Sequence, residues 1–271
     1  MHQVDPQGGG TQASASLPPM PSRIESERAA FGALRAGSAI AVLGDAGFGR
    51  STLLWRLASD SARFGADTLT IFGSEALTAI PFSHLATLAT RVPEIAGYAE
   101  DPLSTSQALA ALFHARPLRV LIDDAEHVDP TSAAILTQLA GVGIMQLVLA
   151  VRDPARLPSA FHAFLGHAGT ARVSLGGIDE TDAKVMLEAQ LGQQVNASSL
   201  THMLHAVDGV PRELARLAGE AMRSGRFVSA RGYLVYVRER IDEGTAEAQQ
   251  RVSDWWARAA TGVPDGDQAE L

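Results

Sequence analysis

An eight-residue segment has the residue types and spacing of a phosphate-binding loop: Gly44, Asp45, Ala46, Gly47, Phe48, Gly49, Arg50 and Ser51. It matches the pattern G-x-x-x-x-G-K-[ST], except that arginine stands in the place of lysine. Glycines let backbone N–H groups close around phosphate oxygens, a helix N-terminus adds partial positive charge, and a serine hydroxyl can ligate Mg²⁺. The segment therefore predicts binding of ATP or ADP. The alternative is a glycine-rich turn between a strand and a helix that holds no ligand.

A second candidate element is an apolar run that ends in two acids. Residues 119–122 are followed directly by Asp123 and Asp124. In P-loop enzymes one acid at such a strand end holds Mg²⁺, and another residue near it orients the attacking water. We therefore expect Asp123 to be a Mg²⁺ ligand and Asp124 to be the base. The alternative is that the two residues begin a polar loop or cap the following helix.

Arg50 bears most directly on whether such a site hydrolyses ATP. A lysine ammonium is a compact point charge, whereas a guanidinium is wider and planar. Backbone donors can still bind phosphate, but positioning of the transferred phosphoryl group supplies most of the catalysis in this chemistry. The sequence leaves two possibilities open, a weak ATP hydrolase that uses Asp124 and Arg50, and a nucleotide-binding scaffold without turnover.

Three further residues complete the predicted nucleotide-binding set: Thr52, Arg152 and Pro211. Arg152 follows an apolar run, at the strand end where open α/β sheets bind ligands, and could sense the γ-phosphate. Arg152 could equally pair with Asp153 or a neighbouring acid. Pro211 either marks a hinge towards the nucleotide or lies in the first turn of a helix. Mg²⁺ is the only metal expected.

The spacing of apolar runs indicates how these residues are positioned. Strands are predicted at residues 39–43, 68–72, 119–122, 146–151 and 172–175, and helices at 24–36, 52–62, 82–90, 106–114 and 132–139. Strands that alternate with crossover helices predict an α/β fold, a P-loop NTPase with a mainly parallel sheet covered by helices on both faces.

The remainder of the chain predicts a change of architecture. Helices are expected at residues 180–191, 197–207 and 211–224, with no strand until a hairpin around Arg231 and Gly232. The predicted domains are a disordered tail (1–22), a P-loop nucleotide-binding domain (23–178), a helical domain with a winged-type hairpin (179–240), and a C-terminal amphipathic helix and tail (241–271). Trp255 and Trp256 share one face of that last helix, so we expect self-docking, self-association or a protein partner there.

Composition limits the classes of partner. The formal net charge is −8, there is no cysteine, and no apolar run approaches the roughly 20 residues of a membrane span. We expect a cytoplasmic protein that does not enter a membrane. DNA binding is not expected of this chain alone, because it normally requires clustered basic residues. The alternative is a nucleic-acid contact by the hairpin, near Arg223, Arg226, Arg231, Arg238 and Arg240.

Four blocks of sequence, residues 42–51, 80–85, 121–130 and 209–214, resemble the ATPase module of large LuxR-type transcriptional regulators, within the STAND class of signalling P-loop ATPases. The resemblance implies a switch in which the ATP and ADP states differ in how the helical domain packs, with regulation and assembly as the output. Arg50 departs from that family's lysine. The sequence also lacks the family's C-terminal helix-turn-helix, so the resemblance implies no DNA binding here.

Overall fold

The computed structural model describes residues 20–89, 101–113 and 118–237. The predicted C-terminal amphipathic helix and all but residues 20–22 of the predicted N-terminal tail lie outside this part of the chain. The described residues fall into two units, one of residues 23–176 and one of residues 20–22 and 177–237. Each has a hydrophobic core of its own.

The first unit is built on a five-stranded parallel sheet. Its strands are β1 (Ile40–Leu43), β2 (Asp67–Phe72), β3 (Leu118–Asp123), β4 (Met145–Val151) and β5 (Ala171–Ser174), in the order β2-β3-β4-β1-β5. All neighbouring pairs run parallel. The five predicted strands and the predicted parallel sheet are confirmed. Because the strands are parallel, their carboxyl ends meet at one edge of the sheet.

Helices cover both faces of this sheet, as predicted. They are α1 (Ile24–Arg35), α2 (Arg50–Arg63), α3 (Ser83–Ala89), α4 (Pro102–Phe113), α5 (Pro130–Gly141) and α6 (Ser159–Gly166). Alternate strand residues point to opposite faces, so Ile40 and Val42 pack with α1 and α2, whereas Ala41 belongs to the core beneath α5 and α6. No helix was predicted at α6.

The second unit contains three helices and a small sheet. The helices are α7 (Glu180–Leu191), α8 (Ala197–Ala206) and α9 (Pro211–Arg223), and the strands are β6 (Gln194–Val195), β7 (Phe227–Ala230) and β8 (Tyr233–Tyr236). The three helices and the hairpin are confirmed. The hairpin turns through Arg231 and Gly232, both with positive φ, 52° and 86°.

Strand β6 corrects the expectation that no strand precedes the hairpin. It pairs with β8 in parallel, and the N–H of Asn196 continues the pairing by donating to Leu234 O at 2.9 Å. A two-residue strand is too short to show an alternating pattern, so only this long-range pairing defines it. Among the described helices, none is long and apolar enough to cross a lipid bilayer.

Candidate nucleotide-binding site

The predicted phosphate-binding loop connects the carboxyl end of β1 to the first residue of α2. Gly44 must be glycine, because a Cβ there would lie 2.7 Å from the carbonyl oxygen of Leu175. Gly49 has φ 92° and directly precedes Arg50, where α2 begins. Backbone N–H groups at the start of a helix that follows such a loop favour an anion. The loop therefore has the geometry of a phosphate cradle.

An arginine from outside the loop holds it in place. Arg23, which precedes α1, donates from Nη1 to the carbonyl oxygen of Phe48 at 2.5 Å and from Nη2 to that of Gly176 at 2.7 Å. The Phe48 side chain packs against the core beneath α1 and α2. The loop is thus fixed on both sides, by a guanidinium and by apolar packing. No motif in the sequence includes Arg23.

The two predicted acids lie at the carboxyl end of β3. Asp123 is buried, and its Oδ1 accepts the N–H of Asp124 at 3.0 Å. Asp124 has φ 49°, in the left-handed region where aspartate and asparagine are among the better-tolerated non-glycine residues. Its side chain makes no capping hydrogen bond to the 3-10 turn Ala125–His127. The alternative that Asp124 caps a helix therefore does not describe its side chain.

The guanidinium of Arg50 lies beside acidic side chains at the end of β3. The Arg50 side chain is only 8% exposed, and Nη2 donates to Asp124 Oδ1 at 2.9 Å. Nη1 lies 4.0 Å from Glu126 Oε1 and has no hydrogen-bond acceptor in the described part of the chain. One terminal nitrogen of the guanidinium is therefore paired with a carboxylate, and the other is a buried donor without an acceptor among the described residues.

Glu126 was not identified from the sequence. Its side chain is 2% exposed, and Oε2 accepts the backbone N–H of Arg152, just beyond β4, at 3.3 Å. The side chain of Arg152 is exposed and forms no ion pair with another described residue, while Asp153 accepts the N–H of Ala155 instead. The proposed pairing of Arg152 with Asp153 is thus not seen.

The end of β2 approaches the same acids through its backbone. The N–H of Gly73 donates to the carbonyl oxygen of Asp123 at 2.8 Å, and a Cβ on Gly73 would lie 2.1 Å from that of Asp124. Any side chain at this position would push β2 away from the acids. Gly73 therefore helps to shape the site, although no local sequence motif includes it.

A buried polar network lies behind the acids. Asp129 accepts backbone N–H groups of Ser132 (2.8 Å), Phe82 (3.0 Å) and His84 (3.2 Å). His84 Nδ1 lies 3.1 Å from Asp129 Oδ2, and Nε2 accepts the N–H of Ser74 at 3.2 Å. Burial by itself raises the pKa of Asp129, but hydrogen bonds from Ser132 and His84 outweigh it and hold that pKa below its ordinary value. The network joins two of the four blocks singled out in the sequence.

The donor set fits a nucleotide-bound Mg²⁺ better than a metal site made of protein alone. Among the described residues no group of three or more histidine, aspartate or glutamate side chains is arranged to hold a metal. Mg²⁺ usually takes one or two protein oxygens, with waters and phosphates completing its shell. Ser51, in the first turn of α2, and Asp123 supply oxygens of the suitable kind.

The last two predicted residues lie on helices. Thr52 is in the first turn of α2, and Pro211 is the first residue of α9 in the second unit, as expected for proline at a helix start. Within that unit the N–H of Ile178 donates to the carbonyl oxygen of Gly209 at 2.9 Å, next to this start. Their roles towards a nucleotide stay predictions.

Several proteins of solved structure share this fold. The RuvB Holliday junction branch migration motor of Thermotoga maritima superposes with a TM-score of 0.52 at 13% identity, over 77% of this chain and 66% of that one. Cdc6p of Pyrobaculum aerophilum gives 0.54 at 17%, over 78% and 63%. The replication initiator DnaA, bound to AMPPCP and single-stranded DNA, gives 0.53 at 12%, over 92% and 71%. These similarities show the fold alone, that of a P-loop NTPase.

The chain spans 61%, 66% and 62% of the length of three RuvB structures. No protein-family model matches the sequence, and no curated protein does.

Proposed function

We propose that this chain is a signalling ATPase module that binds ATP and ADP with Mg²⁺ and acts as a nucleotide-dependent regulatory switch, akin to the ATPase modules of LuxR-type regulators. The observation that carries the proposal is Arg50. It is a buried guanidinium at the first residue of the helix that follows a glycine loop, with one donor nitrogen unsatisfied. A phosphate group is the acceptor that such a position suits.

Each part of the site has a role in this proposal. Backbone N–H groups of residues 44–49 surround the phosphates, and Ser51 and Asp123 hold Mg²⁺, which neutralises phosphate charge when it is bound. Asp124 orients water, and Arg152 senses the terminal phosphate from the end of β4. In this proposal the predicted nucleotide-binding domain, residues 23–178, holds the nucleotide, and the predicted helical domain, residues 179–240 with Pro211, responds to it.

A second candidate function is that of a nucleotide-binding scaffold without hydrolysis, which mediates protein interactions. The 2.9 Å contact between Arg50 and Asp124 favours it, because a carboxylate paired with a guanidinium is poorly placed to accept a proton from water. In both cases the partner is a nucleotide, with a protein or a second copy of the chain as a further partner. Turnover separates the two functions.

A thermal-shift titration with ATP and ADP, with and without Mg²⁺, tests nucleotide binding. A ligand at 100 times its Kd stabilises the native state by about 2.7 kcal/mol. Gly49→Val should abolish this stabilisation, because valine does not tolerate the φ of 92° at that position. Gly141→Val is the matched control, since a Cβ there meets no atom within 4 Å.

The proposal requires Gly49→Val to keep a cooperative unfolding transition while losing the response to nucleotide. Absence of stabilisation of the unaltered protein at millimolar ATP and ADP would contradict nucleotide binding. Equal stabilisation of the Gly49→Val variant would contradict the assignment of the loop.

A further inference from the structure

We infer that the ion pair between Arg50 and Asp124 makes the site selective for nucleoside diphosphates over triphosphates. The inference rests on the proposed nucleotide-binding function and adds the identity of the preferred ligand. The two terminal nitrogens of the Arg50 guanidinium have different surroundings. Nη2 is bonded to Asp124 Oδ1, whereas Nη1 has no hydrogen-bond acceptor among the described residues.

A diphosphate can be bound without disturbing this pair. The cationic side chain at this position of a P-loop reaches the β- and γ-phosphates. The β-phosphate of a diphosphate can take the loop N–H groups and the unsatisfied Nη1 of Arg50. The bond from Nη2 to Asp124 stays in place, and a buried donor gains an acceptor.

A triphosphate must compete with the pair. Its γ-phosphate has to lie beside the residue that orients the attacking water, which the strand-end position assigns to Asp124. Binding there requires the guanidinium to leave the carboxylate, or the γ-phosphate to lie against a carboxylate that Arg50 only partly neutralises. Either requirement weakens triphosphate binding and leaves diphosphate binding unchanged.

A second buried carboxylate increases the difference in affinity between diphosphate and triphosphate. Glu126 Oε1 lies 4.0 Å from Arg50 Nη1, and the Glu126 side chain is buried and anchored on the N–H of Arg152. Arg50 thus faces two carboxylates, and a triphosphate brings one more phosphoryl group towards them. Like charges at short range raise the free energy of the triphosphate complex more than that of the diphosphate complex.

Isothermal titration with Mg²⁺ and either ADP or a non-hydrolysable ATP analogue measures the preference directly. We expect the unaltered protein to bind ADP about tenfold more tightly, which corresponds to 1.4 kcal/mol. Asp124→Asn should reduce the ratio of the two Kd values to below about threefold. This variant should fold, because the position is half exposed and asparagine tolerates positive φ.

Two further variants test whether the preference for ADP depends on the Arg50–Asp124 ion pair or on the loss of any negative charge. Asp67→Asn makes the same substitution at the start of β2, at the opposite end of the parallel strands, and should keep the tenfold ratio. Glu126→Gln removes the same charge near Arg50 but leaves the bond to Asp124, and should keep a ratio of at least about fivefold.

Equal affinities of the unaltered protein for the two nucleotides would overturn the selectivity and leave nucleotide binding standing. If Asp124→Asn keeps the full preference for ADP, the inference is also overturned. It is overturned as well if Glu126→Gln reduces that preference as much as Asp124→Asn does. If the folded protein binds neither nucleotide, the proposed function fails, and the inference fails with it.

Discussion

Arg50 differs from a P-loop lysine in geometry more than in charge. Its planar guanidinium reaches two acids, contacting Asp124 at 2.9 Å and lying 4.0 Å from Glu126. A shorter and more compact ammonium would leave Asp124 freer to orient water. Arg50 is therefore paired with the proposed base, Asp124, and from this contact we expect slow turnover.

We expect Arg50→Lys to raise the rate of ATP hydrolysis by about 10- to 100-fold, because an error of about 1 Å in positioning can lower a rate about 100-fold. Steady-state phosphate release measures the change. Asp124→Asn, added to Arg50→Lys, should return the rate to that of the unaltered protein or below it. Equal rates for the unaltered and Arg50→Lys proteins, both well above an Asp124→Asn control, would show that arginine replaces lysine fully.

Elements with a strong local pattern could be predicted from the sequence. β4 has seven residues, and all of them except Gln146 are apolar and buried, which is typical of a central parallel strand. Helix α6 has only eight residues and buries just Phe161 and Leu165. So short a helix shows little periodicity, and its stability comes from packing against α5. It could not be predicted from local pattern.

Some residues of the site could be predicted from the sequence, and others could not. The loop and the acids at the end of β3 are contiguous motifs, so the sequence shows them. Arg23, Gly73 and Glu126 act through contacts that only the fold creates. The hydrogen bond from Arg23 to Gly176, for example, joins residues 153 positions apart. No spacing rule predicts such a contact, and nothing in the sequence distinguishes Arg23 from the other arginines.

The buried network of Asp129 connects two elements, because it caps α5 and accepts N–H groups at the start of α3. Asp129→Asn replaces one acceptor oxygen by a donor that faces other donors. We expect it to lower the free energy of unfolding at pH 7 by about 3 kcal/mol, since each unsatisfied buried group costs about 1–3 kcal/mol. Urea unfolding measures this loss.

The pH dependence follows from the lowered pKa of Asp129. Because the folded-state pKa lies below the unfolded one, this stabilisation is complete above about pH 5 and is lost as pH falls through the folded-state pKa. Between pH 5 and pH 3 the unaltered protein should therefore lose more stability than Asp129→Asn. Asp179→Asn, an exposed helix cap at α7, is the control and should change little, because asparagine caps as well as aspartate. Parallel pH profiles of the unaltered and Asp129→Asn proteins would show that the ionised Asp129 carboxylate does not stabilise the folded state.

The described residues form two units, each with its own hydrophobic packing, and the proposed switch requires the nucleotide state of the first unit to change the second. The first unit carries the phosphate-binding loop, and the second carries α9 and its proline start. The core of the second unit joins its three helices to the hairpin through residues such as Met186, Leu214 and Leu234. A unit with its own core can keep its internal structure while its surroundings change, which suits it to be a response element.

Hydrogen exchange with saturating ADP or ATP analogue tests this requirement. The reporter is the amide of Ile178, which donates to Gly209 just before α9. A coupling of about 1–3 kcal/mol between sites would change its opening equilibrium by about 5- to 150-fold between the two nucleotides. Amides of strand β7 serve as the internal reference, because among the described strands β7 pairs with β8 alone. If the two nucleotides protect the loop of the first unit differently, yet Ile178 exchanges at the same rate with both, the nucleotide state does not reach the second unit. The scaffold function would then replace the switch, because a switch needs the two ligands to differ in their free energy of interaction with the responding element.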